Sequence, residues 1–100
     1  LVDGTTAVSV PGATTTIANC LVVAIASHGI DSAAARFASW ANADLADVTE
    51  IVDAGSTSGN GGGFGVAAGA KVAAGAYGAT TATRAVASRQ GRVSLALIPA

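Results

Sequence analysis

From Leu21 to Pro99 the chain alternates apolar residues with small or polar ones, and it breaks that alternation at Gly-rich turns. Successive side chains on a strand point to opposite sides, so a period of two marks strands with two different faces. Phe64, Val66, Ala68, Ala70 and Val72 alternate with small residues. Tyr77, Ala79, Thr81, Thr83 and Ala85 alternate against Gly78, Thr80, Ala82, Arg84 and Val86. Cys20 to Ser27 (CLVVAIAS) is apolar on both faces and reads as a central strand. Thr6 to Val10 alternates up to the turn pair Pro11-Gly12, Ala13 to Asn19 is Thr-rich and β-prone, and Arg92 to Ile98 is a closing strand stopped by Pro99. Gly75-Ala76 and Ser88 to Gly91 read as turns, and residues 55–63 (GSTSGNGGG) have the composition of a flexible loop. Seven or eight short strands at this spacing predict an all-β fold, an antiparallel β-sandwich of jelly-roll or immunoglobulin-like type.

Residues 33–53 fit two patterns. Ala33, Phe37, Trp40, Leu45, Val48, Ile51 and Val52 have helical spacing, with Asp31 or Ser32 as a cap. The same stretch also reads as two strands, Arg36 to Trp40 and Leu45 to Asp53, turning at Asn42-Ala43-Asp44.

One hundred residues make a single domain, 1–100. Of these, 51% are hydrophobic, but most are Ala and Val, and only 4% are aromatic. A thin core of small side chains follows. Leu21, Ile25, Phe37, Trp40, Leu45, Ile51, Phe64, Tyr77, Leu95 and Leu97 are expected to supply most of the burial, because each buries far more apolar area than an Ala.

A formal net charge of −1, with Arg84, Arg89 and Arg92 only loosely grouped, disfavours nucleic acid as a partner. Charged residues are 11% of the chain, so neutral polar surface, or surface hidden in an assembly, is expected. No apolar run is long enough to cross a bilayer as a helix, and no signal peptide opens the sequence. Starting at Leu1, the chain is expected to be a processed product or a segment of something longer.

Few residues can carry chemistry. His28 is the single histidine, and with Ser27 and Asp31 it forms a sequence-local trio, whereas triads assemble from separated elements. Cys20, inside an apolar strand, reads as an inert buried thiol. Asp44, Asp47, Glu50 and Asp53 recur every three residues but lack the spacing of a calcium loop, which favours a solvated polar face. Gly59 to Gly65 looks superficially like a phosphate loop, yet it lacks the Lys-Ser/Thr pair and a following helix. No catalytic residue, metal ligand or cofactor is assigned. Trp40, Asn42 and Tyr77 are the candidate ligand-binding residues: aromatic faces stack on sugars and an Asn bonds hydroxyls. Against that stands the need of an Ala/Val core for the bulk of Phe37 and Trp40.

Three landmarks occur in order: Asn19 to Ala26; Trp40 to Leu45 with Val48-Thr49-Glu50; and Gly59 to Val66, Gly75 to Thr83 and the closing Leu95 to Pro99. Together they resemble a β-sandwich domain of tailed-phage and prophage structural proteins, over residues 6 to 99. In that family such domains sit in longer polypeptides with an earlier strand, for which this chain offers only Leu1 to Pro11. The resemblance implies a non-enzymatic virion component, in capsid decoration, tail or fibre. Its partners would be other copies of itself and other virion proteins. It also favours strands over helix for residues 36–53. The alternative expectation is a receptor- or carbohydrate-binding module that docks a cell-surface glycan at Trp40, Tyr77 and the loop 55–63. Phe64 to Ala74 and Thr80 to Ala87 are long and weakly charged, and an exposed edge at either would pair with another chain, opposed only by Lys71 and Arg84.

Overall fold

The structure, a computed structural model, describes the backbone of residues 2–100 and side chains from Thr5 onward. It is all-β, with nine strands: β1 (Val2–Val10), β2 (Ala13–Thr15), β3 (Cys20–His28), β4 (Phe37–Ala41), β5 (Ala46–Ser56), β6 (Gly62–Lys71), β7 (Gly75–Tyr77), β8 (Thr80–Gln90) and β9 (Arg92–Leu97). Every pairing is antiparallel. A three-stranded sheet in the order β1-β8-β4 packs on a four-stranded sheet in the order β5-β6-β3-β9, and β2 pairs with β7. The result is the expected sandwich, elongated to 42 × 23 × 19 Å.

Residues 33–53 resolve as strands, not helix. The Asp53 carboxylate on β5 accepts the backbone N–H of Arg36 at 2.9 Å and of Phe37 at 2.8 Å, fixing where β4 begins. β4 and β5 both shift register, and Ser39 (φ 58°) and Asp47 (φ 55°) lie at those shifts in left-handed backbone, as β-bulges require. The Gly-rich segment is shortened by strands at both ends. Gly55 and Ser56 end β5, Gly62 and Gly63 begin β6, and only residues 57–61 lie between. Gly75 to Tyr77 is a strand rather than a turn, and β8 runs on to Gln90 through part of the expected hairpin.

Two expectations are corrected. First, the edges of the two larger sheets are β5, β9, β1 and β4, whereas β6 and β8 are interior strands. Neither long small-residue segment is therefore an open edge. Second, the core excludes half of the bulky residues expected to build it. Leu21, Ile51, Phe64, Leu95 and Leu97 are exposed, while the interior holds Val8, Val10, Cys20, Val22, Ala24, Ala26, Phe37, Ala67, Tyr77 and Ala82. Register explains the inversion. The residues of β6 that face inward opposite Cys20, Val22, Ala24, Ala26 and His28 are Lys71, Gly69, Ala67, Gly65 and Gly63. This nearly bare strand leaves the space that the Phe37 ring occupies: a Cβ on Gly65 would lie 2.5 Å from Phe37 Cδ2. With the small residues inside, period two forces Phe64, Val66, Ala68 and Ala70 outside.

Candidate functional site

Residues directly opposite on neighbouring strands share a face, so the pairings assemble the outer face of the four-stranded sheet row by row. Across β5, β6, β3 and β9 one row is Ala46, Ala70, Leu21 and Leu97. The next is Thr49, Ala68, Val23 and Leu95, and the third is Val52, Val66, Ile25 and Val93. Ala54, Phe64 and Ser27 continue the face on three strands. No charged side chain stands in any of these rows. Leu95 and Leu97 remain 49% and 51% exposed, and Leu21 and Phe64 are exposed to a similar extent.

The two hydroxyls on this face are turned to their own chain. Thr49 Oγ1 donates to the Asp47 carbonyl at 3.0 Å, and Ser27 Oγ accepts the Gly91 N–H at 2.9 Å. The opposite outer face differs in side-chain size, although its Thr81 and Thr83 hydroxyls also donate to their own chain, to the Ala41 and Ala38 carbonyls at 3.4 and 3.3 Å. There the rows are Ala7, Thr83 and Ala38, then Ser9, Thr81 and Ala41, small and hydroxyl-bearing. One outer face thus carries alanines and hydroxyl-bearing residues, and the other carries the large apolar side chains. A contiguous apolar surface of this extent on a small domain marks an interaction site.

The residues singled out from sequence for ligand binding lie elsewhere and are occupied. Asn42 is buried, and its amide donates to the Gly78 carbonyl at 2.9 Å and to Thr80 Oγ1 at 3.0 Å, while its Oδ1 accepts the Asp44 N–H. Asp44 in turn accepts the Gly78 N–H at 2.9 Å, so this group clasps the β4–β5 turn to the β7–β8 turn. Tyr77 is 3% exposed and offers no ring face for stacking; its hydroxyl meets Ser94 Oγ at 3.2 Å. Trp40 is half-buried, stacks at 5.5 Å on Phe37 and donates its indole N–H to Glu50 at 2.8 Å. These three residues form no common open surface. Phe37 supplies bulk to the core, and Trp40 packs against that core from its rim.

The acidic series does not converge either: Asp44, Glu50 and Asp53 each hold a different partner, and Asp47 occupies a bulge. Cys20 is buried, with Sγ 3.4 Å from the Ile17 carbonyl.

Arg84 is a correction of another kind, for it is neither a surface charge nor an edge guard. It is 3% exposed. Between the pairs Ala7–Thr83 and Thr5–Ser88 the β8 strand bulges, and Arg84 donates to the carbonyls of Thr5, Val86 and Ser88 in that bulge. Gln90 donates to the Ala7 carbonyl at 3.0 Å. Side-chain donors thereby satisfy carbonyls that the broken ladder leaves unpaired. Nothing in a single sequence signals this role, because an Arg at an alternating strand position looks like any exposed charge.

Comparisons of this chain with protein-family models, with curated proteins and with solved structures find no match.

Proposed function

We propose that this domain is a non-enzymatic structural module that works by protein–protein assembly, as a component of a tailed-phage particle. The observation that carries the assembly part of this reading is the apolar outer face of β5-β6-β3-β9, charge-free across its paired rows. Apolar area left in water costs free energy that covering it recovers, at about 25 cal/mol per Å². The engagement of the reactive side chains supports a structural role: His28 and Cys20 are buried, and three of the acidic groups hold the fold together. The assignment to a virion rests on the order of sequence landmarks, from Asn19 to Ala26 through the Trp40 strand to the closing Leu95 to Pro99.

Quantitative mass spectrometry of purified particles from the source culture tests the reading. Peptides of this chain at a copy number comparable to the major capsid or tail-tube protein are expected. A few copies per particle would assign it to a tip or fibre, and complete absence would overturn the virion assignment.

A further inference from the structure

We infer that the occupant of the apolar sheet face is a second copy of this chain, stacked face to face about a two-fold axis that runs along the strands. The inference rests on the assembly reading and specifies its partner and geometry.

Size is the first argument. Four strands spaced about 4.8 Å apart, each with three or four outward residues, present on the order of 700 Å² of accessible surface. Two such faces together bury about 1,400 Å², the range of stable specific interfaces rather than of casual contacts. Charge is the second. Paired rows without charged groups meet no repulsion from their own copy and leave no ion unpaired when they dry.

Shape fixes the orientation. Side-chain bulk is graded across the sheet in its first two rows, is even in the third, and in the fourth sets Phe64 beside Ser27. On β9 and β3 the rows carry Leu97 and Leu21, Leu95 and Val23, and Val93 and Ile25. On β6 and β5 the same rows carry Ala70 and Ala46, Ala68 and Thr49, and Val66 and Val52. Rotation about an axis parallel to the strands places β9 over β5 of the second copy and β3 over its β6, and it keeps each row at its own height. Leu97 then stands over Ala46 of the second copy, Leu21 over Ala70, and Leu95 over Thr49. Large meets small in the first two rows, side chains of like size meet in the third, where Val93 stands over Val52 and Ile25 over Val66, and the gap between the sheets stays even, as close packing demands. An in-plane axis across the strands would instead stack β9 on β9 and β5 on β5. The leucines would collide along one edge, and a void would open between alanines along the other. The twist of aligned sheets, about 30°, offsets the rows without exchanging the edges. Because the contact is isologous, it closes at two copies.

The test is site-specific cross-linking. Leu97→Cys and Ala46→Cys proteins, differently tagged, are mixed and treated with a bis-maleimide spanning about the 10 Å between stacked sheets. Cys20 is buried, and wild-type protein controls for it. The expected product is a cross-linked dimer carrying both tags, with none from either variant alone. In the proposed stack, like positions lie about three strand spacings apart, beyond the reagent. Val93→Cys mixed with Val52→Cys provides a second pair and should behave in the same way. Cross-linking of Leu97→Cys to itself, or a dimer that links neither mixed pair, would overturn the stacked geometry. A monomer in solution at about 100 µM would overturn the second copy as occupant, an affinity weaker than this interface size supports. None of these results touches the virion assignment, which falls only if the protein is missing from particles.

Discussion

His28 ends β3 with its ring buried and packed 5.6 Å from the Phe37 ring. Its Nδ1 accepts the Ile30 N–H at 3.2 Å, which assigns the proton of the neutral ring to Nε2. Burial, reinforced by the positive charge of Arg84 and Arg36 and only partly opposed by Asp53, pushes its pKa below the ordinary 6.5. The unfolded chain therefore binds this proton at a pH where the folded protein still refuses it. Stability is full above about pH 7 and is lost progressively as pH falls through 6.5. Urea unfolding followed by Trp40 fluorescence should show a midpoint that is flat above neutrality and declines below 6.5. His28→Gln should remove that decline before the carboxylates begin to titrate. An unchanged profile in the variant would show that His28 is not the sensor. The sequence discloses that a lone histidine follows a central strand; it does not disclose the burial that chiefly lowers its pKa, nor the two arginines from other parts of the chain that add to it.

At the scale of the element, β6 decides the character of the fold. Its alternation was plain in the sequence, and so was its place in an all-β sandwich. Which of its two faces turns inward was not plain. Large apolar residues usually go inside, so a reading by size puts Phe64 and Val66 in the core. A second signal was present: Gly63, Gly65 and Gly69 are separated by even numbers of residues and so share one face. Glycine in a strand marks close approach of another group, here the Phe37 ring. Gly65→Ala should therefore destabilise the protein by about 2 kcal/mol, the usual cost of overpacking a filled core. Phe37→Leu made on its own opens a cavity; combined with Gly65→Ala it should cost less than the sum of the two changes, because the smaller side chain leaves room for the new methyl. Additive losses in chemical denaturation would show that ring and strand do not meet. The bulges of β4, β5 and β8 were not legible at all. Each depends on partners distant in sequence, as when Arg84 reaches the Thr5 carbonyl.

At the scale of the whole molecule, the sandwich has two unlike outer surfaces. One carries Ser9, Thr81 and Thr83, and the other carries Leu21, Val52, Phe64, Val93, Leu95 and Leu97. Low charge in the sequence already suggested surface hidden in an assembly. Exposed strand edges were the expected means, but the two segments expected in that role are interior strands, and the association proposed above uses a face instead. The sequence could not locate that face, because doing so requires knowing which strands are neighbours. The most direct measurement is sedimentation equilibrium of three proteins: wild type, Leu95→Lys on the apolar face and Thr81→Lys on the hydroxyl face. Both substituted side chains are exposed, so all three should fold. Wild type and Thr81→Lys should each form a reversible dimer, and Leu95→Lys should be a folded monomer. A monomeric wild type, or a dimer that survives a lysine at position 95, would contradict the face-to-face dimer.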